Sequence, residues 1–154
     1  VVIKQHFQLA HKETHRMVRY ETLLLTTPDL STELAEQLES QLEAVLREHG
    51  GVLLSYDRWG KYYLAYPIQK NDYGIYFLAR FELDPARKTD ALEAIRLFYA
   101  VRHAETVFRH ITKALDSEAP LMYARPQSLE EIPEETAEEA APVASEEGEV
   151  GAEA

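Results

Sequence analysis

The sequence predicts an α+β domain: a four-stranded antiparallel sheet with two helices on one face, in the chain order β-α-β-β-α-β. Three observations carry this. Residues 32–49 and 85–101 repeat apolar side chains at helical spacing. Residues 18–27, 52–68, 75–83 and 106–112 are rich in β-branched and aromatic residues. The two middle strands are separated only by turn residues and form a hairpin, whereas each helix lies between two strands, which is the split βαβ arrangement.

The first strand, "VRYETLLLTT", is apolar on both parities at its centre, with Leu23 and Leu25 on one side and Leu24 on the other. A strand covered on both faces belongs in the middle of a sheet. Pro28 and Asp29 end it. Ser31 or Thr32 then caps a helix running to about His49, with Glu33 and Glu36 near its positive end. Leu34, Leu38, Leu42, Val45 and Leu46 form its buried stripe, and Gly50-Gly51 stops it.

The second strand is long and is expected to bend near Trp59-Gly60. Its alternation puts Tyr62, Leu64 and Tyr66 on one face and Lys61, Tyr63 and Ala65 on the other. A bulge at Gly60 would exchange the two sets, so parity leaves open which set faces the helices. Pro67 suits an edge strand. Lys70-Asn71-Asp72-Tyr73-Gly74 reads as the turn. In the third strand, "IYFLARFEL", Phe77, Ala79, Phe81 and Leu83 make the core set, and Tyr76, Leu78, Arg80 and Glu82 the opposite one. Pro85 opens the second helix, and "TVFRHIT" is the last strand.

Four regions follow. Residues 1–16 are an extension, flexible or the remnant of an upstream start; a transit peptide would hold more Arg and Ser. Residues 17–115 are the domain, 116–126 a connecting segment, and 127–154 a disordered acidic tail. Ten of the 27 acidic residues fall in that tail, which has no Lys or Arg; the other seventeen face all sixteen bases, so the body is close to neutral. A Glu/Ala/Pro tail lacks the apolar surface to order itself. The chain has no cysteine, hence neither a disulfide nor a thiolate metal site. No apolar run approaches the roughly 20 residues of a membrane span.

No pattern in the chain supports catalysis. It lacks a Gly-rich phosphate loop, an HExxH pair and a nucleophile elbow. His11 and His15 have ligand spacing but no third ligand, so neither a metal nor a cofactor is expected, and no small-molecule substrate. His103 and His110 bracket the last strand as surface or contact imidazoles. The chain's single asparagine, Asn71, sits in the hairpin turn, which leaves an acyl-phosphate hydrolase on this fold without a water-positioning group beside an anion loop. Bases on strands and turns, namely Arg19, Arg58, Lys61, Lys70, Arg80, Arg102, Arg109 and Lys113, stand near tyrosines, a pairing that can hold phosphates and stack on bases. With both helices on one side, the other sheet face, bearing Leu23, Leu25, Tyr76 and Leu78, is an interaction surface.

Several stretches together resemble one family. These are "RYETLLLTTPDLS", "WGKYYLAYPIQKNDYGIYFLARFEL" and "VFRHITK", in that order between Met17 and Leu115. The combination of Gly60-Lys61, Leu64-Ala65-Tyr66-Pro67-Ile68, Gly74 and Tyr76, with Arg19-Tyr20-Glu21 before it and Val107-x-Arg109-His110 after it, is similar to the sixth protein of the bacterial small ribosomal subunit. The resemblance implies a ferredoxin-like fold, no enzymatic activity, and a structural place in the cytoplasmic ribosome. It also implies binding to small-subunit ribosomal RNA as a heterodimer with the eighteenth small-subunit protein. By resemblance, Arg19, Lys61, Lys70 and Arg109 are the expected RNA contacts. Leu23, Tyr76, Leu78 and Arg80, on the open face, are the expected protein-partner contacts. Tyr62 and Tyr63 stand where family members usually carry bases, which shifts that point from RNA contact toward packing. The alternative is a ferredoxin-like regulatory or ligand-binding module that pairs with a second copy through the same face.

Overall fold

A computed structural model describes residues 16–131. The expected N-terminal extension up to residue 15, including His11 and His15, and the tail beyond residue 131 lie outside the described residues. Strand β1 (Val18–Thr26) leads into helix α1 (Thr32–Glu48), then the long strand β2 (Gly51–Ile68) and strand β3 (Asn71–Leu83). Helix α2 (Lys88–Leu97) widens into a π-helical turn over Phe98–Arg102 before strand β4 (Val107–Leu115). The sheet order is β2-β3-β1-β4, with all neighbours antiparallel. This is the ferredoxin-like arrangement, with β1 in the interior and β2 and β4 at the edges.

Helix α1 forms because Ser31 accepts the Leu34 backbone N–H and a clean Leu stripe follows it. Leu38, Leu42 and Leu46 are buried against Leu24, Phe77, Ala79, Phe81 and Leu83 of the sheet, joined by Ala91 and Ile95 of α2. Burial of each such leucine contributes about 1.5–3 kcal/mol. Gly50, at φ +75°, takes the left-handed step that ends the helix. Helix α2 starts at Lys88 rather than at Pro85, because the Asp84 carboxylate accepts the Ala86 N–H and holds residues 84–87 in a turn.

The hairpin differs from expectation at its tip. Gln69 and Lys70, at φ 48° and 64°, make the turn, and Asn71 to Gly74 already belong to β3. Two successive left-handed residues fit the right-handed twist of a hairpin, a role usually filled by Asn and Gly. The Asn71 amide donates to the Gln69 carbonyl at 3.1 Å and supports the turn from the next position. Register shifts between Leu53 and Ser55, between Arg58 and Gly60, and between Tyr63 and Ile68 bend β2. The bulge before Gly60 settles the open question of parity: Gly60 pairs with Tyr76, so Tyr62 and Leu64 lie on the face opposite the helices.

After Leu115 the chain does not leave the sheet. Residues 116–131 cross the helix-free face as a strap from the β4 edge to the β2 edge, ending in a 3-10 turn at Leu129–Glu131. The sequence placed the start of a disordered tail at residue 127. Residues 127–131 instead pack on β2, where Ser128 is buried against Gly60.

Candidate protein and RNA interface

The register sorts the helix-free face into rows. Arg109, Leu25, Tyr76 and Gly60 form one row across β4, β1, β3 and β2. Ile111, Leu23, Leu78 and Asp57 form the next. Lys113, Glu21, Arg80 and Ser55 follow, and the last row holds Leu115, Arg19, Glu82 and Val52. The face is apolar at the hairpin end of the sheet and charged at the other.

The strap covers the charged half. Arg80 is fully buried. Its guanidinium donates to Glu21 at 3.3 Å and to the Pro120 carbonyl, and lies 4.1 Å from the Tyr123 ring centroid. Lys113 also approaches Glu21, at 3.7 Å. Arg19 is held by Glu82 at 2.9 Å and by the Ala119 carbonyl at 3.1 Å. These arginines read from the sequence as free surface groups, yet both are engaged by their own chain. Leu78 and Arg80, expected on an open face, are buried; among the expected partner contacts, Leu23 and Tyr76 retain exposure. The physical reason is that a buried guanidinium needs acceptors, and the strap supplies a carbonyl and an aromatic face.

The apolar half stays open. Leu23, Leu25, Leu64, Tyr66, Ile68, Tyr76 and Ile111 line a groove of about 400 Å³ with Arg109 on its rim. Beneath it, Leu25, Leu64, Ile68 and Phe108 form a second small core, separate from the one under the helices. Ile111 is 69 % exposed and Tyr66 64 % exposed, so large apolar side chains face water here. Burial pushes the Tyr76 hydroxyl's pKa up, so it stays protonated.

The expected RNA contacts do not converge. Lys70 projects at the exposed hairpin tip, Lys61 stands 5.2 Å over the Tyr73 ring, Arg109 rims the groove, and Arg19 lies under the strap. Sequence reasoning missed the strap's anchors. Tyr62 donates to the Pro126 carbonyl at 2.7 Å, and Arg125 to the Trp59 carbonyl at 2.9 Å. Arg58 grips Glu130 with both terminal nitrogens, at 2.6 and 2.7 Å. Arg125 pairs with Glu131, whose carboxylate also accepts the Ser128 N–H. Both carboxyls are held below the ordinary carboxylate range, Glu130 chiefly by Arg58 and Glu131 chiefly by Arg125. The one forward signal was Tyr62, which stands where a base was expected and serves the strap.

His103 and His110, among the described residues, sit in packing positions. His103 packs on Phe98 with centroids 4.6 Å apart and bonds Gln41; His110 lies 5.4 Å from Tyr99. Burial lowers both imidazole pKa values, so both are neutral near pH 7. Among the described residues no group of three or more His, Asp or Glu is placed to hold a metal. No described helix is long and apolar enough to cross a membrane.

The domain is ferredoxin-like, with one sheet face turned outward, half strapped and half apolar. Residues 19–113 match the family model described as Ribosomal protein S6. The chain is 33 % identical over 144 residues to the small ribosomal subunit protein bS6 of Syntrophobacter fumaroxidans, covering 90 % of this chain and 94 % of that protein. It is 39 % identical over 100 residues to the bS6 of Solidesulfovibrio magneticus, covering 64 % and 91 % respectively. The crystal structure of 30S ribosomal protein S6 from Thermotoga maritima superposes with a TM-score of 0.55 at 24 % identity, over 65 % of this chain and 89 % of that one, and shares the fold. The chain belongs to the ribosomal protein S6 family.

Proposed function

We propose that this protein is a structural, non-catalytic component of the small ribosomal subunit in the cytoplasm, binding small-subunit ribosomal RNA together with the eighteenth small-subunit protein. The observation that carries the partner assignment is the groove of Leu23, Leu25, Leu64, Tyr66, Tyr76 and Ile111 on the sheet face opposite α1 and α2. An apolar groove with a single arginine on its rim suits a partner that contributes apolar side chains and a carboxylate or carbonyl to Arg109.

RNA binding is shared between the two proteins. The near-neutral body neutralises few phosphates, so the lone chain binds RNA weakly and its partner supplies most of the counterion release. Lys61, Lys70 and Arg109 are the RNA contacts of this chain in this reading. Arg19 joins them only when the strap's Ala119 carbonyl lets go of it.

A tagged pull-down from bacterial lysate tests the assignment. Co-purification of small ribosomal subunits is expected. Recovery of a stable homodimer with no ribosomal material would contradict it and favour a regulatory module that pairs through this face.

A further inference from the structure

Strand β2 carries an anion cradle that the chain fills with its own carboxylate. Glu130 at the end of the strap receives both arms of the Arg58 guanidinium, at 2.6 and 2.7 Å. Lys61, next along the strand, also draws the Glu130 carboxyl's pKa down through its charge and its backbone, while its ammonium stands over the Tyr73 ring. Between these two residues stands Gly60, at φ +117°. A Cβ there would come within 2.6 Å of the Ser128 Cβ and 3.3 Å of Glu130 Oε2, so glycine leaves the hollow that admits the carboxylate.

A guanidinium fork beside a glycine hollow, with a lysine next along the strand, offers the donors that a phosphate diester takes. Each phosphate oxygen can replace a carboxylate oxygen in the same fork. The occupant is loosely held, because the Arg58 and Glu130 side chains are 44 % and 40 % exposed and surface ion pairs are weak. The Glu130 end is a hook braced within itself through the Arg125–Glu131 pair and the Ser128 N–H to Glu131 bond, and tied to β2 by Arg125 on the Trp59 carbonyl and by Ser128 against Gly60. The bonds within the hook do not involve Arg58, so Glu130 can leave the fork without breaking them.

We propose that Arg58 and Lys61, with the intervening glycine, form a binding site for an RNA backbone phosphate, and that Glu130 occupies this site in cis until RNA displaces it. The inference rests on the RNA-binding reading above and adds Arg58 as a contact and Glu130 as its internal competitor. The cradle is then shut in the free chain and open on RNA, which lowers the affinity of the lone protein for stray phosphates.

Two probes on the full chain test this. Fluorescence anisotropy with a labelled A-form RNA hairpin is followed between 50 and 200 mM KCl. Glu130→Gln, which keeps the shape and removes the charge, is expected to strengthen binding about 3- to 10-fold. It should also steepen the slope of log K against log salt by about 0.7–0.9, one phosphate's worth. Arg58→Ala also unpins the hook but destroys the fork. It should show no gain alone and should cancel the gain in the double variant. Inorganic phosphate, followed through the Lys61 amide resonance, should shift that resonance at lower concentration in Glu130→Gln than in the wild type. RNA binding that Glu130→Gln leaves unchanged, with no phosphate response at Lys61, overturns the cradle while leaving the RNA-binding reading intact. A phosphate response in a chain that binds no RNA, with or without its protein partner, overturns the RNA reading and the proposal with it.

Discussion

Arg80 is the residue on which the two halves of the sheet face depend. Its charge is out of water, and Glu21, the Pro120 carbonyl and the Tyr123 ring compensate it. Arg80→Ala leaves Glu21 with only Lys113 and frees the strap, so urea unfolding should show a loss of about 2–4 kcal/mol. Gly60 is the second such position. Gly60→Ala places a methyl group on Ser128 and forces an alanine into a positive φ. It should cost about 1–2 kcal/mol and leave residues 124–131 open to protease at native pH. The strap's carboxylates set its pH response. Both Glu130 and Glu131 have pKa values below the ordinary 4.5. A carboxyl depressed in the folded state stabilises that state above its unfolded pKa, and the contribution is lost as pH falls through the folded value. The hook should therefore detach below pH 4.5 while the sheet persists. Trp59, the only tryptophan, whose carbonyl accepts Arg125, should report this as a fluorescence change preceding global acid unfolding.

At the scale of elements, the periodic segments were legible in the sequence and the connections were not. Helix α1 declared itself through Ser31 and a leucine stripe, and Leu42→Ala in that stripe should cost about 2–5 kcal/mol in urea melts. The interior place of β1 followed from apolar residues on both parities, since Leu24 meets the helix-side core and Leu25 the second one. The hairpin tip was misread because Gln69 and Lys70 carry no turn signal of their own. Their left-handed conformation is set by the pairing of Ile68 with Asn71 on either side. The strap was invisible for a related reason. Its residues, 116–131, have no period, and their order comes from contacts with Arg19, Arg80, Tyr62 and Arg58, far away in the chain. Those arginines were read as candidates for outside partners because a sequence does not show that the chain returns to cover them. Of the apolar groove, parity in β1 and β3 pointed to Leu23, Leu25 and Tyr76; the β2 wall of Leu64, Tyr66 and Ile68 was left open by the sequence, because it depends on the bulge before Gly60.

For the whole molecule, the strap covers the charged half of the sheet face and leaves the apolar half exposed. Truncation after Glu131 should leave the melting temperature nearly unchanged, whereas truncation after Leu115 should lower it by several degrees, since Arg80 then loses its strap acceptors. The direct test is the affinity of the purified chain for the eighteenth small-subunit protein, measured by calorimetry with and without Ile111→Asp. That substitution falls at a 69 % exposed position in the groove and should not disturb the fold. A partner seated in this groove requires a one-to-one complex for the wild type and at least about a tenfold loss of affinity for the variant, as expected for burying an unpaired carboxylate in an apolar interface. Equal affinities for wild type and variant, or no complex with the wild type, would contradict it.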